Sequence, residues 1–418
     1  MMSMLTRLAA LSLAVAVGLA VCSSSTALEA RAQVAPAAGA GTAARAQLVG
    51  ELSAALASAK IPSAERGAEV IDLATGEVVY SRHANGPLAP ASNEKLPLTL
   101  ATLTLFGPQY HIATEVLGEG ERQGSTWLGN LVLKGYGDPD LSSADLKRLA
   151  RELRATGIRS VSGNLIADES FFDSRRTAPG WKRSFLINEC APLSALSVDR
   201  GRDTSASPPL VAGRVFLEAL TASGVKVNGE VQVGVASDEA SSLATVESPP
   251  LWKILRFMDR ESDNYTAELL LKQLGASVND QGTTANGAAE VRTVLAGAGI
   301  SLAGVRIVDG SGLSLLDRIT ASTLSQLLVD VWGDPTLRSP FVGSLSIAGR
   351  LGTLSHRMSA RPTRGKVFAK TGTTDEASAL SGYVGDRYAF VILQNGNPIS
   401  AAMARAAQDR FVTVLAAQ

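Results

Sequence analysis

The two ends of this chain read as halves of a single β-sheet, which constrains everything between them. Residues 68–73, with Val70 and Ile71 at their centre, turn at Ala74-Thr75-Gly76 into residues 77–82, the pattern of a hairpin. Far downstream, residues 366–373, 379–384 and 388–394 are three more strand-like runs, the last two joined by Gly385-Asp386-Arg387. Leu48, Leu52, Leu56 and Ala59 predict a helix over 47–60. Ala402, Ala406, Phe411 and Leu415, set against Arg405, Asp409 and Arg410, predict an amphipathic closing helix over 399–417. The fold class expected is therefore α+β: a central antiparallel sheet flanked by helices, with the intervening chain leaving the sheet and returning to it.

The rest of the chain divides by composition. Arg7 followed by the apolar run 8–21 reads as an export signal, too short to span a bilayer, with cleavage expected after Ala32 in Ala30-Arg31-Ala32; Ser25-Thr26-Ala27 is a second small-x-small site. No stable transmembrane segment is expected after cleavage, and the mature protein is expected outside the cytoplasmic membrane, periplasmic or associated with the cell wall. Leu19-Ala20-Val21-Cys22 resembles a lipoprotein site only loosely. Cys190 is then the single cysteine of the mature chain and reads as a buried, inert thiol without a disulfide. Residues 33–44, rich in Ala, Gly and Pro, read as a disordered spacer. The sheet-forming domain is expected over 45–114 and 248–418. Residues 115–247 carry short β-like runs at 131–134, 161–167 and 225–235, the last containing Asn228-Gly229, and read as an inserted β-rich region. With 39 basic and 39 acidic residues and a pI near 6.9, the chain has no field to hold nucleic acid or an anionic membrane.

Three motifs carry chemistry. Ser92-Asn93-Glu94-Lys95 places a hydroxyl and an amine three residues apart, on one face if Ser92 opens a helix. Pro97 fits the first turn, and Leu98, Leu100, Leu103 and Leu105 continue an apolar run. A serine hydroxyl is a weak nucleophile, so Lys95 must take its proton as a neutral amine; burial and a second cation, for which Lys370 is the candidate, favour that state. Ser262-Asp263-Asn264 sets a hydroxyl and an amide two residues apart, Ser262 suited to relaying a proton and Asn264 to holding a substrate carbonyl. Lys370-Thr371-Gly372-Thr373 ends a strand-like run: its edge can pair with an extended peptide, Gly372 allows close approach, and Lys370 with Thr371 or Thr373 can grip a carboxylate. Each motif alone is weak. Ser223-Gly224-Val225-Lys226 repeats the first spacing without a helix to present it, and Ser162-Gly163-Asn164 and Ser277-Val278-Asn279 repeat the second. His83, His111 and His356 sit in no triad-like context. Ser311 in Asp309-Gly310-Ser311-Gly312 reads as part of a turn by the site wall. Asp138 and Asp168 read as turn and packing residues; no metal or cofactor is implied.

In this order the three motifs resemble those of penicillin-recognising serine enzymes. From about residue 48 onward the chain resembles the D-alanyl-D-alanine carboxypeptidase and endopeptidase family, the S13 peptidases or low-molecular-mass class C penicillin-binding proteins. Further matching blocks are Leu133-Lys134-Gly135-Tyr136-Gly137-Asp138-Pro139, Gly163-Asn164-Leu165-Ile166-Ala167-Asp168, Ala191-Pro192-Leu193-Ser194-Ala195-Leu196-Ser197, Asp309-Gly310-Ser311-Gly312-Leu313-Ser314 and Gly349-Arg350-Leu351-Gly352-Thr353-Leu354. The resemblance implies a transpeptidase-like domain interrupted by two small β-rich domains. It also implies an oxyanion hole from the backbone N–H groups of Ser92 and Thr373, peptidoglycan stem peptides as substrate and β-lactam antibiotics as inhibitors. The long interval between Ser92 and Ser262 favours a peptidoglycan enzyme over a serine β-lactamase; a non-catalytic penicillin- or peptidoglycan-binding protein is the other alternative. Thr374, where Leu is common, and Leu315, where a basic residue is frequent, depart from the family pattern and bear on which peptide side chain is recognised.

Overall fold

The computed structural model describes residues 38–279 and 281–418; the expected signal peptide, its cleavage point and Cys22 lie outside them. In chain order the strands are β1 (Arg66–Asp72), β2 (Val78–Arg82), β3 (Ala113–Gln123), β4 (Thr126–Gly135), β5 (Ser160–Val161), β6 (Leu165–Asp168) and β7 (Lys226–Val227). They continue with β8 (Val231–Val233), β9 (Ser241–Glu247), β10 (Ser346–Ile347), β11 (Val367–Thr373), β12 (Ala377–Val384) and β13 (Tyr388–Asn395). The first sheet runs β10-β11-β12-β13-β1-β2, antiparallel throughout, with β1 paired to β13 from Arg66↔Gln394 to Asp72↔Tyr388. Strands from before and after the long intervening chain, β1 and β13, thus pair within one sheet.

Every residue of β13 up to Gln394 is buried, because the sheet is covered on both faces and successive side chains alternate between them. Tyr388, Phe390 and Ile392 join Leu52 and Leu56 of helix Ala38–Ala57 and Phe411, Val412 and Leu415 of helix Ala401–Ala416. Ala389, Val391 and Leu393 face the opposite core, built around helix Lys95–Phe106 with Leu270, Leu274, Leu324 and Leu328. Helix Lys95–Phe106 is buried from Lys95 to Leu103, but its end emerges and Leu105 is exposed. Helix Ala38–Ala57 begins inside the segment expected to be a disordered spacer, so residues 38–44 are helical.

The inserted region holds the expected strands, β3 to β9, in one sheet, and adds helices between them. It is an α/β unit: β4 pairs antiparallel with β3 but parallel with β5 and β6, which in turn pair parallel with β7 and β8. Parallel neighbours need crossover connections, and helices Ser143–Ala155 and Pro208–Ala222 supply them. The first of these is specified locally: Ser142 and Asp145 form a capping box, and Leu146, Leu149, Ala150 and Leu153 make its buried face. Asn228-Gly229 is not a hairpin turn. Gly229 N–H donates to Gly163 O and Gly163 N–H to Gly129 O, while the Asn130 and Asn164 side chains accept from Asn164 N–H and Glu230 N–H. Two strand lines, β5/β6 and β7/β8, therefore break at the same level beside the continuous β4, and a ladder of Gly and Asn residues satisfies the break. Residues 44–418 form one compact unit. Within it Phe172, Cys190 and Leu193 pack on Tyr265, Leu269 and Leu313 beside the motif residues.

Candidate active site

Ser92 lies in a 3₁₀ turn, Ala91–Glu94, that runs directly into helix Lys95–Phe106. It precedes the α-helix rather than opening it, and the tighter turn suits the chemistry, since side chains at i and i+3 eclipse in 3₁₀ geometry. Lys95 Nζ lies 3.1 Å from Ser92 Oγ. Two glycines let other segments close around this turn. Gly312 has φ +78°, and a Cβ there would sit 1.9 Å from Ala91 O; a Cβ on Gly372 would sit 3.0 Å from Ser92 N. The loop 309–314 and strand β11 are thereby held against Ser92 from two sides.

Lys95 is fully buried and has three partners, all acceptors in their other contacts or able to be: Ser92 Oγ, Asn264 Oδ1 at 2.8 Å and the Ser311 carbonyl at 2.8 Å. A neutral amine has two N–H groups and one lone pair. With the two N–H groups on Asn264 and Ser311, the lone pair is left for the Ser92 proton. Burial lowers the Lys95 pKa from its ordinary value, opposed by the charges of Asp309, Asp263, Glu268 and Asp259. The structure thus adds the Ser311 backbone to the sequence-predicted set, while the Ser311 hydroxyl is buried and lies 3.4 Å from Asp309 Oδ2, turned into the loop rather than presented as a nucleophile. Asn264, expected to hold a substrate carbonyl, has its Oδ1 on Lys95 and one N–H on the Glu189 carbonyl at 3.1 Å; its second N–H remains for the cleft.

Ser262 caps helix Leu251–Glu261 in the left-handed region, φ +58°, and its Oγ accepts from Lys370 Nζ at 2.8 Å. Burial, then the neighbouring Lys95 charge, pushes Lys370 down to about 7, with Asp259 opposing. Strand β10 pairs β11 only at Phe368 and Ala369, so the cleft-side edge from Lys370 to Thr373 has no strand partner. Ser92, Ser262, Asn264, Leu313, Thr371 and Thr373 line one cleft of about 480 Å³. Arg405, which the sequence shows only as part of a polar helix face, also lines it and donates to Thr373 Oγ1 at 3.1 Å. Arg357, at the same cleft, is held by Asp409 at 2.7 Å.

Beneath these groups lies a layer of buried carboxyls that motif reading does not identify. Glu268 Oε1 accepts from Gly310 N–H and Ser311 N–H, at 3.1 and 2.8 Å, which fixes the loop whose next carbonyl meets Lys95. Burial, then Asp309, raises Glu268 to about 8 and holds Glu94 well above the carboxylate range; neither Glu94 oxygen has a hydrogen-bond partner. Glu268 is therefore largely protonated at neutral pH, which spares Lys95 part of the negative field that would keep it charged. The signal for Glu268 was a lone acid inside the apolar run 267–274.

Elsewhere the sequence-predicted polar residues are structural. Asp138 caps the turn to Asp140 N–H, and Asp168 accepts from Ser170 N–H and Ala236 N–H. Cys190 is buried, its thiol pKa raised by burial, and no disulfide engages it. Among the described residues no helix is long and apolar enough to cross a membrane.

The D-Ala-D-Ala carboxypeptidase 3 (S13) family matches residues 48–207 and 203–418. A D-alanyl-D-alanine carboxypeptidase of Actinomadura sp. is 32% identical, covering 88% of this chain and 84% of its own length. A carboxypeptidase of Mycobacterium tuberculosis is 32% identical over 77% of this chain and 74% of its own. The crystal structure of penicillin binding protein 4 from Haemophilus influenzae superposes with a TM-score of 0.77 at 22% identity, covering 89% of this chain and 98% of that one, and shares the fold. The same Haemophilus protein is also known in complex with a β-lactam. With the matches spanning both halves of the interrupted sheet, the chain belongs to the D-Ala-D-Ala carboxypeptidase 3 (S13) family and is a serine-type D-Ala-D-Ala carboxypeptidase.

Proposed function

We propose that Ser92 is the nucleophile and attacks the carbonyl of the penultimate D-alanine of a peptidoglycan stem peptide, outside the cytoplasmic membrane. As the Oγ–carbon bond forms, Lys95 takes the hydroxyl proton; the N–H groups of Ser92 and Thr373 hold the oxyanion. Ser262, bonded to Lys370, relays that proton: it gives its own to the departing amine as the C–N bond breaks and D-alanine leaves, and takes up the one held by Lys95. Water then attacks the ester carbon, giving a proton to Lys95; the C–Oγ bond breaks, Lys95 returns the proton to Ser92 Oγ and the shortened peptide leaves with a new carboxylate. Lys370, Thr371, Thr373 and Arg405 hold the terminal carboxylate, and the open edge of β11 pairs with the peptide main chain. The observation that carries this reading is the partner set of Lys95, which leaves one lone pair aimed at one hydroxyl. Attack on a D-alanyl cross-link follows the same steps with a different amine leaving, which makes the protein an endopeptidase as well. β-Lactams are inhibitors because their ring carbonyl and carboxylate occupy the same two positions.

Incubation with a penicillin is expected to give one adduct, on the peptide containing Ser92, and purified stem pentapeptide is expected to lose D-alanine. Ser92→Ala should abolish both. An adduct on another residue, or D-alanine release that survives the substitution, assigns the wrong nucleophile. A persistent adduct separates this enzyme from a β-lactamase, which would clear it.

The pH dependence has a worked sign. Acylation needs Lys95 without its extra proton, so the rate climbs as pH passes the depressed Lys95 pKa. Carboxylate binding needs Lys370 charged, so the rate falls as pH rises through about 7. A bell-shaped profile of kcat/KM results, its two limbs belonging to the lysine pair jointly. Rates of labelling by a fluorescent penicillin across pH test it; a rate that keeps climbing on the alkaline side removes the charged role of Lys370.

A further inference from the structure

Residues 199–201 of the inserted region take positive φ three times in succession: Asp199 at +50°, Arg200 at +63° and Gly201 at +61°. For the two non-glycine residues this is a sparsely populated conformation, kept only where surrounding contacts over-determine it. Here Ser143, at the start of helix Ser143–Ala155, donates its N–H to Asp199 Oδ1 at 3.0 Å and its hydroxyl to Oδ2, while Asp199 N–H donates to Leu141 O at 2.9 Å. The strained turn aims Arg200 out of the inserted region and at the second motif.

Arg200 bonds in both directions. Nη1 donates to Pro139 O at 3.3 Å and Asp140 Oδ1 at 3.1 Å; Nη2 donates to Asp263 Oδ1 at 2.5 Å and Thr266 Oγ1 at 3.0 Å. The guanidinium also lies 4.8 Å from the centre of the Phe257 ring and 5.5 Å from that of Tyr265. Asp263 is the middle residue of Ser262-Asp263-Asn264. Its Oδ1 accepts Thr266 N–H at 2.7 Å, as a cap at the start of helix Asn264–Asn279. On one side of it Ser262 accepts from Lys370, and on the other Asn264 accepts from Lys95. One side chain of the inserted region thus grips the residue between the partners of both lysines.

Resting on the acyl-transfer reading above, we infer that Arg200 is a positioning residue for the second motif: by gripping Asp263 it holds Ser262 and Asn264 in place and balances the Asp263 charge felt by Lys95. It touches no reacting atom and acts through Asp263.

The surrounding charges fix the sign of its effect. Asp263 is faced by Arg200 and Asp140 of the inserted region, by Cys190 and Tyr265, and by Lys95. Burial lowers the Lys95 pKa, and Asp309, then Asp263, Glu268 and Asp259, oppose it; Lys370 is the neighbouring cation. Without Arg200 the Asp263 carboxylate stands uncompensated, so Lys95 keeps its proton to higher pH and the acid limb of the acylation profile moves up. Without the Asp263 charge the limb moves down.

Penicillin labelling of the full chain across pH tests this. Arg200→Met is expected to slow labelling at least about tenfold on the acid limb, and less at the rate maximum. Asp263→Asn alone should shift the limb the other way, and the two substitutions together should bring it back to the parental position. Arg200→Lys keeps the charge and should keep the limb, while losing the contacts to Pro139 and Thr266. An arginine that serves packing alone gives equal losses at every pH, no return in the double variant and a limb unmoved by Asp263→Asn; that pattern overturns the assignment. Thermal unfolding checks each variant, and if Arg200→Met does not fold, the limb of Asp263→Asn decides by itself. A parent that takes no penicillin on Ser92 refutes the proposed reaction instead. The titration of Lys95, followed by NMR in protein carrying isotope-labelled lysine, then reads the same variants and still decides the role of Arg200.

Discussion

Replacing Lys95 with methionine is expected to leave a folded protein whose acylation by penicillin, and whose release of D-alanine, are slower by about a thousandfold or more, within the range of about a hundred- to ten-thousandfold in which general bases contribute. Methionine nearly matches the lysine stem in volume, so the buried helix start keeps its packing. What disappears is the acceptor for the Ser92 proton and the donor that two buried oxygens share, Asn264 Oδ1 and Ser311 O. Stranding two buried acceptors costs about 1–3 kcal/mol each, so stability falls too, though not enough to explain the loss of rate. Lys95→Arg separates the two roles of this residue. A guanidinium can donate to both oxygens but stays protonated, so it keeps the contacts and cannot act as base. Arginine should therefore be as inactive as methionine in an acylation assay. If either variant retains labelling within tenfold of the parent, the amine is not the base, and the arrangement around Lys95 has to be read as structural.

The parts of this site that sequence makes legible are those in which side-chain chemistry fixes the residue type. Ser92, Lys95, Ser262, Asn264 and Lys370 announce themselves because the roles proposed for them, nucleophile, base, relay and clamp, each need a particular group. The antiparallel sheet is legible for a related reason: Val70, Ile71 and the runs ending at Thr373, Val384 and Gln394 alternate or saturate with apolar residues between glycine-bearing turns. The Ser311 carbonyl has no such signature, because any residue supplies a carbonyl; only the fold decides that this one meets Lys95. Arg405 is visible on the polar face of a predicted helix, but whether that face meets solvent or the cleft depends on how the helix packs on β12 and β13. Strands β5 and β7, two residues each, are too short to show a period, so the parallel order of the inserted sheet is settled by its neighbours. The helix over Ser143–Ala155 is different: its capping box and its four buried positions were present in the sequence to be read.

Gly312→Ala should be the most disruptive change that alters no reacting group. Its backbone is at φ +78°, and the added Cβ would meet Ala91 O at 1.9 Å and Ala91 C at 2.4 Å, distances that no rotamer can relieve because both partners are backbone. Ala91 itself is held at φ +46° immediately before Ser92, so the segment that must yield already lies in a sparsely populated conformation. Strain at the new alanine costs about 1–3 kcal/mol, and overpacking against Ala91 about as much again. Displacing the Ala91–Ser92 peptide also moves an oxyanion donor and the attacking oxygen together, and a misplacement of about 1 Å can cost about a hundredfold in rate. Gly76→Ala is the matched control: its φ is +73°, with no atom within 4 Å of the added carbon. That variant should lose only the strain term, visible as a modest drop in melting temperature, and should label with penicillin at the parental rate. Equal effects of the two substitutions on labelling would mean that the contact between loop 309–314 and the Ser92 turn does not position the nucleophile.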